Sequence, residues 1–285
     1  MRYFIVLIGM PFLQILTAHL FQILVTETDS FLMTYCQIFL QQFIAICIPV
    51  LILFHKKAYF PKEEFEVSKP GFYLRCIFLG ILLQFIGIAV NFPVSALLQH
   101  FGYPLPPSFP NAENLLEFLL QTVVICLTPA IFEEVLFRRM VYHSLNRYSQ
   151  KAAILFSALF FAMAHFDFHN FAATFTVGLS LGILRHRGAP LILCVITHFF
   201  VNFTATLLNH ILEIPFAASL MDRYFLLIVF LAVVLLIASF PKKLSLESDD
   251  TPSEMIESKP WTNILLQPLL YIYLAIFFIL GANNL

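Results

Sequence analysis

The sequence predicts an all-α, polytopic transmembrane helical bundle of about nine spans. Three observations carry this. Sixty per cent of the residues are hydrophobic and only 12% charged, with a mean hydropathy of +0.87, whereas a soluble domain is typically about 25% charged. The apolar residues run in long blocks, as a helix needs roughly 20 of them to cross a bilayer core. Lys and Arg cluster in alternate segments between the blocks, as in membrane proteins whose cytoplasmic loops are basic.

In chain order the blocks are 3–25, 31–54, 72–98, 114–137, 152–166, 171–186, 189–212, 224–240 and 263–281. The first follows a single Arg and is longer than the apolar core of a cleavable signal, about 7–15 residues, so it is read as a retained span. The fifth and sixth are short and need flanking residues or a tilted, buried position. The ninth is the weakest, and without it the count is eight. With the N-terminus in the cytoplasm, fifteen of the sixteen Lys and Arg fall in cytoplasmic segments and only Arg223 falls outside. This predicts a cytoplasmic N-terminus and an outside C-terminus. The Pro-rich stretch 100–114 becomes an outside loop, with Asn111 expected to cap the fourth helix. The Ser- and acid-rich stretch 241–260 reads as a polar linker.

Composition excludes some functions. The formal net charge is -1 and no basic block suggests a nucleic-acid partner. Cys36, Cys47, Cys76, Cys126 and Cys194 each lie in an apolar run without a CxxC pair, and read as small buried hydrophobes. No internal repeat is visible, which counts against a carrier built from inverted repeats. A non-catalytic scaffold or immunity protein is the other alternative to an enzyme.

The exceptions to apolarity carry the functional reading. "EEVLFRR", Glu133 to Arg139, puts two carboxylates and two guanidiniums where an ionised group costs about 2.5–3.5 kcal/mol on insertion scales. Glu134 and Arg138 are four residues apart in the favourable order for a helical ion pair. Glu133 is rotated by about 100° from Glu134 and is left without that partner. "FAMAH" ends the fifth span with His165. "HFFVN" puts His198 and Asn202 on one face of the seventh. His169 falls at the outside end and reads as a solvated loop residue. At 1.5 Å per residue, Glu133, His165, His198 and Asn202 reach a common layer roughly 15–21 Å from the cytoplasmic helix ends. Gly178 and Gly182 form a GxxxG pattern that permits close packing of the sixth helix, and Pro129 predicts a kink one turn before Glu133.

A carboxylate and an imidazole at one depth can polarise water as a general base, and a His and an Asn on one face can donate to an oxyanion. The same groups leave a second chemistry open: Glu133, His165 and His198 as a His₂Glu zinc site, although there is no HExxH.

Glu133-Glu134-Val-Leu-Phe-Arg138, Phe161-Ala-Met-Ala-His165 and His198-Phe-Phe-Val-Asn202 resemble, in order and spacing, the EExxxR, FxxxH and HxxxN motifs of the CAAX protease and bacteriocin-processing family of intramembrane endopeptidases, to which the Ras-converting CAAX endopeptidase belongs. The resemblance covers about residues 113–205. It implies an endopeptidase acting on a membrane-associated protein or peptide, prenylated for some members of the family. Glu133 would activate water with the help of His165, His198 and Asn202 would form the oxyanion hole, and Glu134 and Arg138 would support them. A glutamate mechanism without a cofactor is preferred over zinc, because Asn202 suits an oxyanion hole better than a metal. The organisation expected is N-terminal helices 1–112, a catalytic core 113–212, and C-terminal helices 213–285 with the linker. The protein would lie in the plasma (inner) membrane of a bacterium or the endoplasmic reticulum of a eukaryote.

Overall fold

The computed structural model describes residues 3–24, 30–54, 70–105, 110–239 and 267–283. The linker 241–260 and the basic stretch 55–69 lie outside the described residues. Among the described residues there is no strand, and nine helices account for the nine expected blocks: α1 (Tyr3–Leu24), α2 (residues 31–54), α3 (Pro70–His100), α4 (Leu115–Asn146), α5 (Gln150–Met163), α6 (Phe171–His186), α7 (Leu191–Leu212), α8 (Pro215–Ser239) and α9 (Pro268–Asn283). Five stretches are long and apolar enough to cross a membrane: Phe31–Leu51, Pro70–His100, Leu115–Asn146, Leu191–Leu212 and Pro215–Ser239. The chain is a polytopic helical membrane bundle. α8 starts nine residues earlier than its block, so Arg223 lies inside a helix.

Helix ends follow local chemistry. Ser30 and Ser149 cap α2 and α5 by accepting from Met33 N and Ala152 N. The cap of α4 is Asn114, not the expected Asn111: Asn114 Oδ1 accepts from Glu117 N at 3.0 Å, and Glu117 Oε2 accepts from Glu113 N at 2.9 Å. Asn-x-x-Glu is a capping signature that Asn111 lacks. Asn111 instead donates to Glu213 Oε1 at 2.5 Å, tying the start of α4 to the end of α7.

α3 is the hub, packing on α6, α7 and α8, and α5 pairs with α6. The core under the site is built of Leu136, Phe137, Met140, Phe160, Leu181 and Leu193, all fully buried. α8 buries only Ala232 and turns the rest of its apolar side chains outward, as a lipid-facing helix does.

Small residues set the close approaches. A Cβ on Gly80 of α3 would collide with the Thr197 carbonyl and lie 2.7 Å from Phe200 Cβ on α7. The two halves of the GxxxG pattern differ. A Cβ on Gly178 would lie 3.0 Å from Ala158 Cα of α5, whereas one on Gly182 would meet Ile154 at an ordinary 3.4 Å. Gly178→Ala is therefore expected to overpack the α5–α6 pair and cost about 1–3 kcal/mol. Gly182→Ala should be neutral or stabilise by up to about 1 kcal/mol through helix propensity. Thermal unfolding of both variants in detergent checks this, and an equal loss in both would contradict it.

Candidate active site

α4 carries the two glutamates on a short α-helical piece, Thr128–Glu134, between two π-helical stretches, Thr122–Leu127 and Val135–Val141. Such wide turns are rare and concentrate at functional sites. Pro129 accounts for part of this distortion. It has no N–H to give to the carbonyl four residues back, that of Ile125. Asn202 Nδ2 of α7 donates to that carbonyl instead, at 3.2 Å.

The motif residues form two carboxylate–imidazole pairs. In the first, Glu134 and Arg138 are both fully buried, with Arg138 Nε 3.2 Å from Glu134 Oε2. The N–H is not aimed at the oxygen, so the contact is an ion pair rather than a hydrogen bond. Arg138 Nη2 donates to the Gly178 carbonyl at 3.2 Å, and the guanidinium stacks 4.7 Å over the Phe161 ring. Glu134 also reaches α7: His198 Nδ1 lies 2.9 Å from Oε1. A carboxylate on Nδ1 fixes the ring so that Nε2 is presented elsewhere, and His198 lines the central cavity.

In the second pair, His165 Nε2 lies 3.9 Å from Glu133 Oε2. His165 is not inside the fifth helix. It follows the C-terminal cap, Ala164, and the next residue, Phe166, has φ +49°. A left-handed conformation is strained for a bulky residue. Phe166 is held there by burial against Tyr273 and Phe277 of α9. His165 Nδ1 lies 2.8 Å from the Phe161 carbonyl. A carbonyl only accepts, so Nδ1 donates to it, and Nε2 faces Glu133.

Phe161 joins the pairs. Its ring meets His165 edge-on at 5.1 Å and His198 at 5.5 Å, while its face takes the Arg138 cation. The motif spelling marked Phe161, but its place between both imidazoles is visible only in the fold.

A cavity of about 550 Å³ opens between α3, α6 and α7, and His165, His198 and Asn202 line it. Glu133 is not among its lining residues and meets it through His165. α3 contributes Gln84, Asn91, Ser95 and Gln99 to the wall. These four were legible as one line of polar residues on an apolar helix, with angular positions within about 80° at 100° per residue. Asn91 and Ser95 also hold the α5–α6 loop by donating to the His169 carbonyl, and Asn91 Oδ1 accepts from Ala173 N at 3.4 Å in the first turn of α6. His169, expected to be solvated, is 1% exposed because this clasp draws its loop against α3.

Among the described residues no three His, Cys, Asp or Glu side chains are grouped so as to hold a metal ion. The two imidazoles are turned to different carboxylates.

The fold and site define a class: a membrane-embedded helical protein with paired carboxylates and imidazoles beside an open cavity. Residues 115–204 match the family of type II CAAX prenyl endopeptidases, Rce1-like. That stretch is about a third of the chain and holds all three motifs, and the match supports the family that the motifs resemble. The match supports a protease. No curated protein and no solved structure matches it.

Proposed function

We propose that the protein is an endopeptidase that cleaves a membrane-associated protein or peptide with a glutamate-activated water. The observation that carries this reading is the 3.9 Å separation of Glu133 Oε2 and His165 Nε2 without a hydrogen bond between them. With the His165 proton on Nδ1, both atoms are acceptors and do not bond to each other. A water between them can donate one O–H to each, which leaves its oxygen lone pair for the substrate carbonyl carbon.

The step balances as follows. The water oxygen bonds to the carbonyl carbon as Glu133 takes its proton. Negative charge collects on the former carbonyl oxygen. The C–N bond then breaks, and the proton returns through Glu133 or His165 to the leaving amine. Two donors are placed for the oxyanion. Asn202 uses one amide N–H on Ile125 and keeps the other. His198 has Nδ1 committed to Glu134, so it donates from Nε2 as the imidazolium, which the Glu134 carboxylate supports. One oxyanion donor is typically worth about 10²–10³ in rate.

Peptidase activity of the purified protein is expected to persist in excess chelator. Loss of activity on chelation, together with stoichiometric zinc in the pure protein and recovery when zinc is returned, would move the site to metal-assisted hydrolysis.

A further inference from the structure

The cavity sits at one end of the bundle, and that end bears on the substrate. On α3 its lining runs from Gln84 to Gln99, the half of the helix away from Arg75. On α6 it uses Ala173, Thr174 and Val177, close to the start, whereas Arg185 and His186 sit at the other end. α5 contributes only from its C-terminal end, through Phe161, with His165 just beyond it, and Lys151 lies at its start. On α7 the lining begins at His198, two turns above the Arg187–Gly188 turn. The exposed residues of the wall, Phe92, Ala96, Gln99, Leu105, His165 and Asn170, all lie in the half of the bundle away from the basic turns. Exposure falls from them down to His198, which is 3% exposed. The mouth is therefore at the Gln99–Asn170 end, opposite the turns that hold Arg147, Lys151, Arg185 and Arg187.

Lys and Arg mark the cytoplasmic side. Among the described residues Arg75, Arg147, Lys151, Arg185 and Arg187 stand at the end away from the mouth, and the mouth side has only Arg223. On that same side stand Glu113, Glu117, Asp167, Glu213 and Asp222. The floor of the cavity packs shut toward the cytoplasm, where Gly80 lets α3 close directly on Thr197 and Phe200.

We infer that the active-site cavity opens to the non-cytoplasmic face, and that its substrate is a peptide chain presented on that face: an exported peptide or an extracytoplasmic segment of a membrane protein. This rests on the endopeptidase reading for the word substrate, and on geometry and charge for the side. The wall has the chemistry for such a chain. Neutral amides and hydroxyls (Gln84, Asn91, Ser95, Gln99, Thr174) alternate with apolar side chains such as Ile88 and Val201. Amides and hydroxyls pair with peptide N–H and C=O groups without requiring a charge on the substrate. A C-terminus tethered in the cytoplasmic leaflet would have to cross the closed floor to reach His198.

Two readouts on the full chain in cells separate the claims. Gln99→Cys places a thiol at the mouth and Lys151→Cys one at the opposite turn, with the parent chain as background for its own cysteines. A membrane-impermeant maleimide added to intact cells is expected to label Gln99→Cys, and to label Lys151→Cys only after permeabilisation. The reverse pattern overturns the inference and leaves the peptidase reading intact. The second readout compares new peptide termini in cells with the wild-type chain and with Glu133→Gln. The termini lost in the variant should map to extracytoplasmic sequence. If they map to cytosolic C-termini, the substrate claim falls. If the two proteomes are identical, the peptidase reading falls and takes the substrate claim with it, while the labelling still decides the side of the mouth.

Discussion

Glu133→Gln is expected to lower kcat/KM for any cleaved reporter by about 10²–10⁴-fold, the range for loss of a general base, with little change in stability. The amide keeps the shape of the carboxylate but cannot take a proton from water, and its N–H₂ offers a donor where the water needs an acceptor. The loss should fall on kcat rather than KM, because Glu133 is not part of the cavity wall that would hold the peptide. Folding should be spared. Glu133 Oε2 has no hydrogen-bond partner, and His165 Nε2 lies 3.9 Å from it. The measurement is reporter cleavage by purified wild type and variant at matched concentration, beside their thermal unfolding in detergent. Wild-type turnover by Glu133→Gln would remove the glutamate from the chemistry. An equal drop in unfolding temperature and activity would make Glu133 a structural residue.

How much of this was legible depends on the range of each interaction. The helical ion pair of Glu134 and Arg138 follows from four-residue spacing, and the fold keeps it even though Arg138 lies in a π-helical stretch. A common depth for Glu133, His165, His198 and Asn202 follows from counting residues up antiparallel helices, and Glu133 is the one of the four that does not line the cavity. The other three do line it. The bond from His198 to Glu134 spans 64 residues, and helical periodicity says nothing about which carboxylate a distant ring will meet. An offset of 100° separates the two glutamates but does not say which neighbour lies on either side. His165 was placed in a span because "FAMAH" is apolar, yet the helix stops at Met163 and a left-handed Phe166 turns the chain. That stop depends on aromatic packing against α9, over a hundred residues away. The burial of His169 depends likewise on Asn91 and Ser95 of α3. Asn114 as the cap of α4 was a local signal that could have been read, since Glu117 follows it at capping-box spacing.

Glu134→Gln should fail differently from its neighbour. Arg138 is fully buried, and without the Glu134 charge it keeps only the Gly178 carbonyl and the Phe161 face. Removing one partner of a buried ion pair costs about 3–5 kcal/mol, because the other charge stays behind without compensation. The variant is therefore expected to express poorly and unfold early. Arg138→Met on the same chain removes the stranded charge and fills its volume with an apolar side chain, so the double variant should recover most of the lost stability. It should not recover wild-type turnover. His198 Nδ1 still lacks its carboxylate, so the ring loses both its fixed orientation and the anion that supports its imidazolium. Unfolding temperature and kcat should thus separate: stability rescued, rate still depressed by about 10-fold or more, as for a weakened oxyanion donor. Arg138→Met should bring no rescue of activity to Glu133→Gln, whose defect is in the water and not in the ion pair. Recovery of both stability and turnover in Glu134→Gln/Arg138→Met would mean that Glu134 serves Arg138 alone and that His198 needs no carboxylate. Full stability of Glu134→Gln by itself would mean that the Gly178 carbonyl and the Phe161 ring suffice to hold a buried guanidinium in this bundle.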